Sequence, residues 1–161
     1  MTATLPASSL HGHIMSDTEW TQILTAITAA ANIEVFNSRA ISATTNSISY
    51  GNITGASQTF TKHYGSSTSD VGVIAFTSHR HSTASIKATF GVFDGTADHD
   101  THSGINLTAG KHYYWGGMAK ITGLAAGAFT FQMRWKMSST TGTATIDTND
   151  TLSLYVVELA K

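Results

Sequence analysis

Eight histidines stand among 161 residues, and six of them fall in close pairs: His11 and His13, His79 and His81, His99 and His102. An H-x-H pair on a strand puts both imidazoles on one face, a usable geometry for a transition metal. A structural site needs more than two ligands, and no further ligand stands near either H-x-H pair in the sequence. The pairs therefore read as loop histidines, polar and nearly neutral at pH 7, whose protonation could tune assembly. No metal ligand is assigned. Three carboxylates in Asp94-Gly-Thr-Ala-Asp98-His-Asp100 offer oxygen ligands on a glycine-containing loop. The run lacks the D-x-D-x-D-G order and the closing bidentate glutamate of a calcium loop, so it reads as a solvated turn.

Serine and histidine are plentiful, but the G-x-S-x-G elbow of a serine hydrolase is absent. Neither phosphate-binding glycine pattern occurs. The few acids sit mostly in turns and give no recognisable glycosidase pair. Tyr113-Tyr114-Trp115 and Trp135 could stack on sugar rings. Alternation would point Tyr113 and Trp115 the same way, inward or into a partner. The expectation is a protein that is not an enzyme, with no catalytic residue and no cofactor.

The elements that must carry these residues are mostly strands. Charged residues make up 12% of the chain and apolar residues 41%. Serine and threonine fill roughly a quarter of it, well above ordinary usage. Hydroxyl-rich, charge-poor, β-branched sequence favours pleated sheet. A net charge of −1 offers no basic field for nucleic acid or anionic lipid. No apolar run has membrane-spanning length, no secretory signal is visible, and the absence of cysteine suits assembly in cytoplasm.

Residues 1–15 lack periodicity and hold the single proline, so they read as an extended arm. Ser16 and Glu19 form a capping box opening an amphipathic helix over 16–32, with Trp20, Ile23, Leu24 and Ile27 as its packing stripe. From 33 to 161 the chain reads as one all-β domain. Short strands are expected over Val35–Ile41, Ser47–Ile53, Gln58–Tyr64, Val71–Phe76, Ala84–Val92, Ile105–Leu107, His112–Trp115 and Met118–Ile121, with 94–104 as a loop. Phe129, Phe131, Met133, Trp135 and Met137 alternate strictly with polar residues, the period of a strand packed on one face. A short strand at Thr143–Ile146 and a last one at Leu152–Leu159 close the chain. Tyr155, Val157 and Leu159 make the second face of the last strand apolar, so it should be covered on both sides. Many short strands at near-regular spacing predict an antiparallel β-sandwich of jelly-roll type.

Ile121-Thr-Gly-Leu-Ala-Ala-Gly127, leading through Phe129 and Phe131 to Arg134-Trp135, resembles a segment of tailed-bacteriophage structural proteins. There a gly-leu-x-x-gly turn feeds a strand of the form x-F-x-x-R-W. The ending Gly142-Thr-Ala-Thr-Ile146 and Leu152–Leu159 is similar to the last two strands of those domains, which resemble the trimeric jelly rolls of the C1q and tumour-necrosis-factor type. The Ser16-to-Trp20 helix start resembles the short N-terminal helices of phage virion proteins. The resemblance implies a virion protein assembled in the host cytoplasm, most directly a capsid decoration (cement) protein that stabilises the head as a homotrimer. Its partners would be further copies of itself and the major capsid protein, with no nucleic acid and no membrane. Tyr155, Val157, Leu159, Tyr113 and Trp115 would form the oligomer interface. Thr2, Leu5, Pro6, Leu10, His11 and His13 of the arm would touch the capsid. The alternatives are a carbohydrate-binding jelly-roll module and a receptor-binding tail or spike protein.

Overall fold

A computed structural model describes residues 32–38 and 40–161. The arm, with Thr2, Leu5, Pro6, Leu10, His11 and His13, and the helix stripe of Trp20, Ile23, Leu24 and Ile27 lie outside the described residues.

Ten strands follow one another: β1 (Ile33–Ser38), β2 (Ala43–Thr45), β3 (Gly51–Lys62), β4 (Ser69–His81), β5 (Lys87–Phe93), β6 (Asp98–Ile105), β7 (His112–Ile121), β8 (Gly127–Met137), β9 (Ala144–Ile146) and β10 (Leu152–Ala160). They form two antiparallel sheets. The first runs β1-β10-β4-β7, with β9 and β2 prolonging the β10 side at the far end of β4. The second runs β3-β8-β5-β6. Successive long strands cross between the sheets, and only β5 and β6 are a hairpin within one sheet. This is the all-β, jelly-roll-type sandwich expected from the strand pattern.

The core lies between the sheets. Phe131, Met133, Trp135 and Met137 of β8 all point inward and are buried. Facing them are Val71, Val73 and Ala75 of β4 and Leu152, Leu154 and Val156 of β10. The period of two in β8 thus follows from one dry and one wet face.

Several expected boundaries shift. His112–Trp115 and Met118–Ile121 are one strand, β7, and of Ile105–Leu107 only Ile105 is strand, at the end of β6. Ser47–Ile53 and Gln58–Tyr64 are not two strands around a turn. They belong largely to one strand, β3, interrupted by a register shift between Asn52 and Ser57. The Gln132 amide holds that irregularity by donating to the Ile53 and Ala56 carbonyls at 2.8 and 2.9 Å. The segment expected as a 94–104 loop contains β6. Its inward positions are His102 and Gly104 rather than large aliphatics, so hydrophobic alternation could not reveal it. β4 runs on past Phe76 to His81, which moves His79 and His81 from a loop into a strand.

Candidate functional site

Along β4 the inward residues Val71, Val73, Ala75, Thr77, His79 and His81 alternate with an outward set. Ile74 and Phe76 of that outward set meet Tyr155 and Ser153 of β10, while Val157 and Leu159 lie over Gly72. On the other side Tyr114, Gly116 and Met118 of β7 lie beside Ser78, Phe76 and Ile74. Ile33 and Val35 of β1 complete the row beside Val157 and Tyr155. The middle of the outer face of the first sheet is therefore apolar on all four strands, with Ser153 and Asn37 as a polar pair within it. Val35 is 47% exposed, Phe76 50%, Met118 60% and Tyr114 73%, an arrangement that sets this face apart from ordinary scattered apolar exposure. Phe76 packs edge-on against Tyr155 with ring centres 6.2 Å apart and its ring occupies the space above Gly116. Beside it opens a hollow of about 350 Å³ lined by Phe76, Thr77, Tyr114, Trp115, Gly116 and Thr151.

Charge lies toward the ends of this face. At one end Asp70 is held between Lys120 at 3.2 Å and Lys161 at 3.1 Å. Burial opposes the charged form of Asp70, but the two ammonium groups outweigh it and lower its pKa. At the other end Arg80 Nε lies 3.4 Å from Asp147 Oδ2. The outer face of the second sheet is different in kind. Arg134 makes a two-point contact with Asp98, each at 2.9 Å, and stacks near Phe93 and Tyr50. Tyr50 donates to Asp100, and burial together with that bond raises its pKa. That sheet presents a solvated face.

Of the residues expected at an interface, Tyr155, Val157 and Leu159 stand on the apolar outer face. Tyr113 and Trp115 do not: they pair with His79 and Thr77 on the inward side, and Trp115 packs against Gly104 of β6. The strand parity that turns them inward brings Tyr114 and Met118 outward. The three acids of the 94–100 run part company. Asp94 accepts from the Thr96 and Ala97 amides and pairs with His99 at 2.8 Å, Asp98 binds Arg134, and Asp100 binds Tyr50.

Two polar clusters had no sequence pattern to mark them. In the first, Asp150 accepts from Ser78 Oγ at 2.6 Å and from the Asp147 amide at 2.9 Å, and lies 2.7 Å from His112 Nδ1. Among the described residues, His112, Asp147 and Asp150 are the one such trio with all ligand atoms within 4.8 Å of one another. A serine, a histidine and an aspartate meet here in the wrong order for nucleophilic catalysis. The carboxylate, not the imidazole, touches the serine, so the Ser-His-Asp triad order is not formed here. The Arg80 guanidinium supplies the cation. The bonds pin the β9–β10 turn to β4 and β7. In the second cluster Glu158 accepts from Asn32 Nδ2, the His63 and Tyr64 amides and Ser69 Oγ, at 2.6 to 3.0 Å. Burial would raise this carboxyl, but the four donors outweigh it and hold it at about 2. The buried Lys62 ammonium lies 3.8 Å away and donates to Ser69 and to the Tyr64 carbonyl.

The inward histidines form a third group. His79 and His81 are fully buried with ring centres 5.1 Å apart, and Phe90 lies between His79 and His102. Burial pushes His79 down to about 3 and His102 to about 4, and also lowers His81.

No family model matches this chain, and no curated protein matches it. Among solved structures it is similar to the VP2 subviral particle protein of infectious bursal disease virus, with a TM-score of 0.47 and 13% identity over 80% of this chain and 39% of that one. It is also similar to Eiger TNF from S. frugiperda, with a TM-score of 0.39 and 10% identity over 75% of this chain and 93% of that one. A pentameric capsid protein isolated from metagenomic phage sequences aligns with a TM-score of 0.36 and 12% identity, over 81% of this chain and 64% of that one.

Proposed function

We propose that this chain is a structural virion protein of a tailed bacteriophage, a capsid decoration protein that binds the head surface as a homotrimer and stabilises it. The observation that carries the reading is the apolar middle of the outer face of the β1-β10-β4-β7 sheet. A face of that character in water is unfavourable unless a partner covers it. The occupants are the neighbouring copies of the chain, arranged around a threefold axis onto which this face turns. Apolar and aromatic side chains fill the middle, while ion pairs lie toward its ends. That is the anatomy of a stable interface, with a dry centre and a charged rim. The solvated face of the second sheet would then point outward, and the resemblance of residues 121–159 to phage virion domains supplies the setting. The major capsid protein is the second partner, reached through residues 1–15.

The deciding experiment is light scattering on the full chain across a dilution series. A concentration-independent trimer is expected. Met118→Asp and Val157→Asp should lower the mass with the β-sheet circular dichroism unchanged, whereas Thr130→Asp on the second sheet should leave the trimer intact. Removal of residues 1–15 should abolish co-sedimentation with phage heads. Wild-type mass in both face variants would overturn the self-association reading.

A sugar-binding module is the second reading, and the hollow beside Phe76 and Tyr114 is the observation that favours it, because its aromatic walls suit the apolar face of a pyranose. The buried His79 and His81 offer no surface to such a ligand. Binding on a glycan array that Tyr114→Ala abolishes would establish it.

A further inference from the structure

His79 and His81 are both fully buried, and all four of their ring nitrogens lack a hydrogen-bond partner among the described residues. A buried imidazole ordinarily finds at least one partner, so two adjacent ones with none call for a missing occupant. A third orphan belongs to the same neighbourhood. Asn106, also fully buried, donates its amide nitrogen to the His79 and Lys111 carbonyls at 3.4 and 3.1 Å, which fixes its side chain. Its Oδ1 then has no partner among the described residues.

We propose that His79, His81 and Asn106 Oδ1 form a buried site for one late first-row transition ion, of which zinc is the representative. The spacing suits it. Two imidazoles bound to one tetrahedral ion at about 2.0–2.1 Å from each nitrogen place their ring centres roughly 5 Å apart. The observed ring separation is 5.1 Å. Neutral imidazole is the ligating form. Imidazole nitrogen selects zinc, copper or nickel over calcium and magnesium, which demand oxygen. One further imidazole stands near the rings. His102 is separated from His79 by Phe90 and has both nitrogens occupied by Thr77 and Thr101, so it is not a ligand. On the opposite face of β4, Ser78 donates to the Asp150 carboxylate and Arg80 pairs with Asp147, so neither carboxylate is a ligand of the site. The site sits where β4, β5 and the β6–β7 connection converge, so an ion there would tie the two sheets together at one end. Its fourth tetrahedral position would fall to a water, and the burial of the site leaves substrate no path to it, so the ion would do structural work.

The site's burial means that an ion enters as the chain folds. The test is therefore to unfold the full, untagged chain in urea with chelator, refold it with one equivalent of Zn²⁺ or Co²⁺, and remove excess by gel filtration. One ion per chain is expected, with a rise in thermal midpoint over the metal-free protein. The Co²⁺ form should show visible bands of tetrahedral intensity. His79→Leu and His81→Leu should each lose the ion, while His112→Asn should keep it. No retained ion in wild type overturns the proposal. So does an ion lost in His112→Asn but kept in His81→Leu, which would place it at the β9–β10 turn. If the leucine variants do not fold, X-ray absorption on refolded wild type decides: two imidazoles in the ion's coordination shell support the site, and none or one overturns it.

Discussion

Glu158 carries more of the fold's polar accounting than any single feature of its strand would suggest. It gathers the start of the described chain, the β3–β4 connection and β10 onto one carboxylate, with the buried Lys62 ammonium beside it. Glu158→Gln would leave that ammonium without its counter-charge and should cost about 3 kcal/mol of stability in urea unfolding. The pH consequence has a definite sign. A carboxyl held at about 2 in the fold, against an ordinary 4.5, stabilises the fold fully above pH 4.5 and loses that contribution as pH falls toward 2. His102 acts in the same direction in a higher window. Its folded value of about 4 lies below the ordinary 6.5, so the unfolded chain takes up the proton first and stability declines as pH falls from 6.5 toward 4. Urea midpoints measured from pH 7 to 3 should fall throughout; His102→Gln should lessen the slope of the upper part, which the buried His79 and His81 share, and Glu158→Gln should lessen that of the lower part. A midpoint independent of pH above 4.5 would refute the role given to His102.

Between elements, the tightest join is the edge where β6 of one sheet meets β7 of the other. A methyl added at Gly117 would lie 2.2 Å from the Thr101 carbonyl, and one at Gly104 would strike the Trp115 indole. Gly117→Ala should therefore cost about 1–3 kcal/mol, because backbone cannot yield as a side-chain tip can. Gly51→Ala, with nothing within 4 Å of its added carbon, is the control and should leave the urea midpoint nearly unchanged. The same edge explains why β6 was illegible. Its inward positions are a glycine that admits Trp115 and a histidine stacked on Phe90, so the strand lacks the aliphatic alternation by which β8 is recognised. At β3 the strand pattern is visible in the sequence but its break is not: a bulge whose carbonyls Gln132 satisfies looks, in sequence, like a turn between two strands. Gln132→Leu should leave those carbonyls unpaired and lower stability by about 1–3 kcal/mol.

For the molecule as a whole, the contrast between the two outer faces matters most. One carries Arg134, Lys136, Asp98 and Asp100 in a network around Tyr50; the other carries Val35, Phe76, Tyr114, Met118 and the outward side of β10. Self-association through the second face makes thermal stability depend on protein concentration by mass action. The thermal midpoint of wild type should rise with concentration, and that of Met118→Asp should not. A concentration-independent midpoint for wild type would overturn self-association through this face, because unfolding of an oligomer to separate chains follows mass action at any affinity.

The last strand shows how far the sequence alone reaches. Tyr155, Val157 and Leu159, set between the buried Leu154 and Val156 and the Glu158 that follows them, announce a strand with two apolar faces, because strand parity is local and needs no partner to be read. The alternation of Phe129 through Met137 is legible for the same reason, and with it the all-β class. Which face of β7 joins the outward row was not legible. Tyr113, Tyr114 and Trp115 are all aromatic, and only the register of Tyr113 opposite His79 decides that Tyr114 faces out and its neighbours in. The same holds for His79 and His81: their spacing predicts a shared face, but whether that face is solvent or core depends on β4 continuing through them to pair with β7 and β9. Register and sheet order are set by contacts between residues far apart in the chain, and no local pattern of residue types can encode them.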